Sequence, residues 1–283
     1  MSHRRRRRRR QKGGARRPKG GRLLFAWSLS RRRIGVSVAA VALVVVALVG
    51  GLLFRNLWSD GGPSPVLRAA IVDQVSVYDP NPEFVAAATE MLQEAGYVVD
   101  YYPGEAVTVD FYRELPTHGH DLLVLRVHSA RLLKDKDGSP VDEVVLFTSQ
   151  PYRQGSYADQ GKRRLARTRY HEGAEWLFGI RADFVTSSMR GGFDGTTIIM
   201  MGCNGLTSIN ETARAFLAKG AESFISWDNP VSWSHSDRAT ERLLELLLIE
   251  GLTTEDAVSR TAAELGPDPV FGAELGILTA GGG

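Results

Sequence analysis

The chain has 283 residues, of which 35 are Lys or Arg and 32 are Asp or Glu, so its formal net charge at pH 7 is +3. Cys203 is the only cysteine in the sequence, which excludes an internal disulfide. The glycine motifs of P-loop and dinucleotide-binding proteins are absent from the sequence, and we therefore predict a protein without a nucleotide or other cofactor.

The N-terminal segment is strongly basic and is followed by an apolar stretch. Residues 1–33 contain 15 Lys or Arg and no acidic residue, a composition that cannot form a core, so we predict a disordered tail. Residues 34–54 carry no charge and are rich in Val, Leu and Ala. At about 1.5 Å per residue this stretch spans a bilayer core of roughly 30 Å, which predicts one transmembrane helix.

The basic residues also predict the orientation of that helix. By the positive-inside rule the tail is expected in the cytoplasm and the C-terminal part outside it, as in a single-pass protein of the cell membrane. A cleaved signal peptide is the alternative, but the apolar stretch is long and no A-x-A site follows it. The tail is expected to attract anionic membrane lipids. Nucleic-acid binding is disfavoured, because no aromatic residues interrupt the arginine run.

Residues 55–65 are predicted to be a linker with Gly and Pro, and residues 66–283 a single domain. Beyond the tail and Arg55, 19 cationic residues stand against 32 acidic residues. The basic chain is thus expected to carry an acidic domain outside the membrane. With about 218 residues, this domain is long enough to bury one hydrophobic core.

Short apolar runs alternate with amphipathic stretches along this domain. Predicted strands are 69–72, 97–102, 122–127, 144–148, 197–201 and 223–226. Predicted helices are 83–95, 109–115, 211–219, 237–250 and 254–263. The polar, arginine-rich stretch 150–171 is predicted to be a mobile surface loop. This order predicts an α/β fold with a doubly wound, mostly parallel sheet.

Two reactive side chains stand at the ends of predicted strands. His128 follows the run 122–127, and Cys203 follows the run 197–201. The carboxyl ends of neighbouring parallel strands meet at one edge of a sheet, so we expect the imidazole and the thiol to lie together, as a cysteine hydrolase requires. The alternative is an inert buried thiol and a histidine that serves only as a satisfied polar group.

Short motifs around these two residues resemble those of the caspase-like cysteine peptidases, including their CHAT branch. In that family one strand ends in His-Gly and the next core strand ends in Cys-x-Gly. The matching segments here are V-H-S at 127–129 and M-G-C-N-G at 201–205. The segments at 215–227 and 250–258 resemble the units that follow the nucleophile, so that the likeness covers most of 66–283.

The resemblance implies a Cys-His dyad on a mostly parallel six-stranded sheet flanked by helices. Cys203 would be the nucleophile, and His128 the base or orienting imidazole. The backbone N–H of Cys203 would contribute to an oxyanion hole, together with the N–H of the residue after the histidine. That residue is Ser129, where the family has glycine.

The segment S-W-D-N-P at 226–230 resembles the Ser-Trp-Arg of caspases, whose arginine receives an acidic substrate side chain. Asp228 stands in place of that arginine, and a buried carboxylate attracts cations, so we expect Arg or Lys before the scissile bond. Trp227 is expected to line this pocket, with core packing as the alternative. Arg126 is expected to pair with Asp228 in the pocket, or with Asp73 or another acid as structural support.

These features predict a membrane-anchored, extracytoplasmic cysteine endopeptidase that acts on peptides or proteins. The alternative is a catalytically inactive relative that keeps the fold as a binding or sensor module at the cell surface. No metal site is predicted, because His118 and His120 have no Cys or carboxylate cluster beside them in the sequence.

Overall fold

The computed structural model describes residues 66–135, 138–160, 163–207 and 210–281. The chain divides into two units, Met1–Gly62 and Pro63–Gly283, and the described residues all belong to the second. The predicted basic tail, membrane helix and linker lie outside the described residues. Within the described part of the chain, no helix has both the length and the apolar character that are required to cross a membrane.

Ten strands and six α-helices occur along the described residues. The strands are β1 (Arg68–Asp73), β2 (Val98–Pro103), β3 (Leu122–Arg126), β4 (Ser129–Lys134), β5 (Pro140–Pro151), β6 (Leu165–Thr168), β7 (Leu177–Ile180), β8 (Thr197–Met200), β9 (Ser223–Trp227) and β10 (Leu275–Thr279). The helices are α1 (Pro82–Glu94), α2 (Val109–Glu114), α3 (Ala182–Ser187), α4 (Glu211–Ala218), α5 (Trp233–Leu244) and α6 (Thr254–Leu265). Every strand and helix expected from the sequence is present, and β4, β6, β7, β10 and α3 are additional.

The helix boundaries follow local sequence signals. The Asn81 side chain accepts a hydrogen bond from the backbone N–H of Phe84, which satisfies a free donor at the start of α1, and Pro82 occupies the first turn. Gly96, with φ of +89°, directs the chain away after that helix. Thr253 caps α6 in the same manner, through the N–H of Asp256. The sequence could therefore indicate where these helices begin.

A six-stranded sheet with the order β10-β9-β8-β3-β1-β2 forms the centre of the domain. All its neighbouring strands pair in parallel except β10, which pairs antiparallel with β9. The predicted α/β fold with a mostly parallel six-stranded sheet is thus confirmed. Since β1, β3 and β8 are consecutive neighbours and run the same way, their carboxyl ends lie side by side at one edge of the sheet.

Helices cover both faces of this sheet. On one face, buried residues of α1, α5 and α6 pack on alternate strand residues, and this core includes Phe84, Leu92, Leu243, Val258, Ile71, Val124 and Ile199. On the other face, α2, α3 and α4 pack on the intervening strand residues, and this core includes Tyr112, Phe184, Phe216, Val72, Leu125, Ile198 and Phe224. The nearly unbroken apolar strands of the sequence follow from burial on both faces.

A second sheet lies between β3 and β8 in the chain. It has four antiparallel strands in the order β4-β5-β7-β6, and its residues Val144, Leu146, Phe178 and Ile180 share the core of α2–α4. The sequence predicts only one strand here, followed by a mobile loop over 150–171. The prediction of that loop is wrong in part, because β6 lies within it. The exposed Arg167 within β6, together with the arginines that flank the strand, obscures its strand character in the sequence.

Candidate active site

The segments that carry His128 and Cys203 leave adjacent strands at the same edge of the sheet. Leu125 of β3 is paired with Met200 of β8, and the next residue, Met201, donates its backbone N–H to the Leu125 carbonyl at 2.9 Å. His128 follows the end of β3 by two residues, and Cys203 follows the end of β8 by three. The predicted meeting of the two strand ends is therefore present in the structure.

The two segments touch directly beyond the strands. The Ser129 hydroxyl donates to the backbone carbonyl of Cys203 at 2.7 Å. Gly202 lies so close to the first segment that a Cβ atom there would be 2.6 Å from Ser129 Oγ and would overlap the Val127 carbonyl oxygen. Ser129 directly follows His128 and stands where the family has glycine. Its side chain thus links the His128 segment to Cys203, the residue that bears the thiol.

His128 is held in an aromatic environment. Its ring lies 4.6 Å from Phe147, 5.4 Å from Tyr170 and 6.1 Å from Trp233, measured between ring centroids. The Tyr78 hydroxyl lies 3.3 Å from His128 Nδ1. Burial among these rings lowers the pKa of His128 to about 4, because the imidazolium loses hydration. The imidazole is therefore neutral at pH 7.

Cys203 is half-buried and its sulfur faces backbone N–H groups. The N–H of Val231 donates to Sγ at 3.4 Å, and the Cys203 N–H also faces the sulfur. Burial raises the pKa of the thiol, and these N–H groups oppose that effect only in part. The resting pair is hence a thiol and a neutral imidazole. Among the described residues the hydrogen bonds of the His128 ring and of Sγ go to Tyr78 and Val231, not to each other.

The backbone N–H of Ser129, the first residue of β4, points away from the neighbouring strand β5. Ser129 is opposite Leu146 in the antiparallel ladder, and the adjacent position is bonded, since the Phe147 N–H donates to the His128 carbonyl at 2.9 Å. Hydrogen-bonded and non-hydrogen-bonded positions alternate in such a ladder. The Ser129 N–H therefore points out of the ladder, which an oxyanion donor at this position requires.

Arg126 lies in the interior and not in a substrate pocket. Its side chain is 1% exposed and forms ion pairs with Asp73 at 3.0 Å and Asp237 at 2.9 Å. Its Nη1 also donates to the Asp79 carbonyl at 3.0 Å. The predicted role of Arg126 in substrate binding is wrong, because every one of these contacts is structural. Its alternative role as support, with Asp73 as a partner, matches the structure.

Trp227 and Asp228 differ from each other in exposure. Trp227 is 2% exposed and donates its indole N–H to Ser236 Oγ at 3.0 Å, so its expected place in a substrate pocket is corrected to the alternative of core packing. Asp228 is exposed, and one of its carboxylate oxygens accepts the Glu274 N–H at 2.8 Å. The expectation of a buried carboxylate at 228 is wrong, because the residue lies just past the end of β9.

Sequence reasoning missed the residues that surround His128. Gln74 and Tyr78 lie in and after a single-turn helix, Gln74–Val77, that directly follows β1, and Tyr170 follows β6. Gln74 is fully buried and accepts the His128 backbone N–H at 3.0 Å. The only available signal was position, because β1 ends at the same sheet edge as β3.

Comparison with known proteins gives matches among solved structures. No family model and no curated protein matches the sequence. Among solved structures, gingipain R, described as an Arg-specific cysteine proteinase, matches with a TM-score of 0.39 and 14% sequence identity. The matched region covers 70% of this chain and 42% of the gingipain chain, so this chain corresponds to less than half of that protein.

Proposed function

We propose that the domain is a cysteine endopeptidase of the caspase-like type in which His128 and Cys203 form the catalytic dyad. One observation carries the proposal: the Ser129 hydroxyl bridges to the Cys203 carbonyl at 2.7 Å, so that the residues bearing the imidazole and the thiol meet at one sheet edge. A base and a nucleophile at such a junction are what covalent hydrolysis of an amide requires.

The neutral resting pair defines how the reaction begins. The His128 imidazole takes the proton from Cys203 Sγ as the sulfur attacks the carbonyl carbon of the scissile peptide bond. The N–H groups of Cys203 and Ser129 would donate to the resulting oxyanion. When the C–N bond breaks, the leaving amine takes that proton from His128, and a thioester forms on Cys203. Water then attacks the thioester, with His128 again as the base, and releases the acid and the thiol.

The location of the enzyme is proposed from residues 1–54 of the sequence. The apolar stretch 34–54 would anchor the chain in the cell membrane, with the basic tail against anionic lipid on the cytoplasmic side. The domain would then act on peptides or proteins outside the cytoplasm. Cysteine-scanning with a membrane-impermeant maleimide, in a Cys203→Ser background, tests this orientation: positions in 55–65 should label in intact cells, and positions in 1–33 should not.

We propose only a weak preference for Arg or Lys before the scissile bond. Asp228 is exposed, and an exposed ion pair contributes about 1 kcal/mol or less, so any preference from this carboxylate should be tenfold or less. Fluorogenic Arg, Lys and Asp peptides measure it directly. Asp228→Asn should reduce kcat/KM for the Arg and Lys peptides toward the value for a neutral peptide. An Asp peptide cleaved fastest would contradict this preference.

The occlusion of the two reactive groups supports a second candidate function. Burial keeps His128 neutral and Cys203 protonated, and both make hydrogen bonds to other groups in the resting structure. A caspase-like domain in this condition would serve as a binding or sensor module at the cell surface, without hydrolysis.

Active-site labelling separates the two functions. A peptidyl chloromethyl ketone should alkylate Cys203 in the purified protein, and His128→Ala should slow the second-order rate constant about a hundredfold, the range of general-base catalysis. His171→Ala is the matched control, because His171 is an exposed histidine on the β6–β7 connection, and its rate should be unchanged. Equal rates for the wild-type protein and His128→Ala would favour the inactive module.

A further inference from the structure

The turn that follows β1 contacts His128 from two directions. Gln74 Oε1 accepts the His128 backbone N–H at 3.0 Å, and the Tyr78 hydroxyl lies 3.3 Å from ring atom Nδ1. Gln74 Nε2 also donates to the Tyr170 hydroxyl and, at 3.4 Å, to Ser149 Oγ, so its amide orientation is fixed. Backbone and ring of the histidine are thus both held from one five-residue segment.

A buried ion cluster fixes the position of this segment relative to β3. Arg126 is two residues before His128 and contacts both ends of the turn, through Asp73 Oδ1 and the Asp79 carbonyl, each at 3.0 Å. Within the turn, the N–H groups of Tyr78 and Asp79 both donate to the Val75 carbonyl, at 3.0 and 2.9 Å. The backbone that carries Tyr78 is therefore fixed to Arg126, the last residue of β3, two residues before His128.

The charges of the two groups limit how they can be bonded. Burial lowers the pKa of His128 to about 4, so the neutral ring carries one proton, on either Nδ1 or Nε2. Burial also raises the pKa of Tyr78, so its hydroxyl keeps its own proton. A bond of the type Nδ1–H to Tyr78 Oη leaves a free lone pair on Nε2, which is the form that can accept a proton from a thiol.

We infer that Tyr78 is a positioning residue whose hydroxyl oxygen holds the proton-bearing Nδ1 of His128, so that Nε2 is the nitrogen that takes the Cys203 proton. The inference rests on the proposed dyad. When Nε2 accepts the thiol proton, the imidazolium carries N–H at both nitrogens, and Nδ1–H still donates to Tyr78 Oη. Tyr78 neither gains nor loses a proton, and the same bond stabilises the cation more than the neutral ring.

Alkylation kinetics with a peptidyl chloromethyl ketone test this role. Tyr78→Phe keeps the ring and removes the hydroxyl, and its rate constant at Cys203 should fall about tenfold, as expected for one hydrogen bond to a charged group. Tyr101→Phe is the matched control: Tyr101 is similarly exposed, at 44% against 43%, and its hydroxyl bonds to Asp73 instead of His128. Its rate should stay within twofold of the wild-type rate.

A double-mutant cycle separates positioning from general structural support. In a His128→Ala background, Tyr78→Phe should have no further effect, because Tyr78 acts only through the imidazole. The same loss in both backgrounds, or no loss in either, would overturn the inference. Should the wild-type protein and His128→Ala react equally slowly, the proposed peptidase function fails instead.

Nitrogen-15 NMR of the His128 ring gives a readout that does not depend on activity. The wild-type domain should show the Nδ1–H tautomer at pH 7, and Tyr78→Phe should shift the ring toward Nε2–H. An Nε2–H ring in the wild-type protein would overturn the inference even if labelling confirms the dyad.

Discussion

Removing Arg126 from its buried ion cluster should cost more stability than removing one partner of any exposed ion pair of the domain. Arg126 is 1% exposed and donates to Asp73 at 3.0 Å and to Asp237 at 2.9 and 3.1 Å. The same guanidinium lies 5.5 Å from the Trp233 ring. The substitution Arg126→Met keeps much of the side-chain volume but leaves two buried carboxylates without a cation.

The expected loss follows from the burial of both partners. Removing one member of a buried ion pair costs about 3–5 kcal/mol, because the remaining charge has neither full hydration nor a counter-charge. With two carboxylates uncompensated, we expect a decrease in the free energy of unfolding at the upper end of this range. Guanidinium denaturation followed by tryptophan fluorescence measures it. Arg190→Met is the control: its side chain is 68% exposed beside Glu114, and the expected loss is below about 1 kcal/mol.

A further variant tests the physical cause. Neutralising the carboxylates with Asp73→Asn and Asp237→Asn in the Arg126→Met protein should recover part of the lost stability, since the penalty arises from unpaired charge. A loss below about 1 kcal/mol for Arg126→Met alone would refute the argument. So would a triple variant that is less stable than the single variant.

Three other predictions concern the residues at the sheet edge. The pKa of His128 is about 4 in the folded state and near 6.5 in the unfolded chain. As the pH drops, the unfolded chain therefore binds the proton first. The free energy of unfolding should fall by about 3 kcal/mol between pH 6.5 and pH 4. His128→Phe should flatten this part of a stability–pH curve, and an unchanged slope would contradict the burial argument. Gly202→Ala should destabilise the domain by about 2 kcal/mol, because its Cβ would overlap the Val127 carbonyl oxygen. Gly276→Ala, where the nearest atom is a leucine methyl at 3.2 Å, should change the melting temperature far less, and equal shifts would rule out the steric explanation. Tyr170→Ala should uncover the imidazole and raise its pKa toward 6.5, which histidine NMR titration measures; a pKa that stays near 4 would show that the other rings suffice.

The apolar and polar pattern of the sequence predicted the five parallel strands of the central sheet and its covering helices except α3, but not the antiparallel edge strand β10. Strands buried on both faces must be almost wholly apolar, so 122–127 and 197–201 are identifiable without a structure. The capping residue Asn81 marked the start of α1, because a free backbone N–H needs a local acceptor. For α6 the sequence indicated the start but not the capping residue, which is Thr253 and not Thr254. The order of strand and helix then predicted parallel pairing, and with it the approach of His128 and Cys203.

Tertiary structure alone decided which side chains surround those two residues. Tyr78 and Tyr170 are 92 positions apart in the chain, yet their rings lie 4.3 Å from each other, and no local pattern encodes such a contact. The partner of Arg126 is likewise not encoded locally. The position of Arg126 on its strand predicted which way its side chain points, but not that it would pair with Asp237, 111 residues later. Strand and helix patterns arise from backbone hydrogen bonding and burial within short segments. The environment of a site depends instead on how distant segments pack, and that is where the expectations for Arg126, Trp227 and Asp228 required correction.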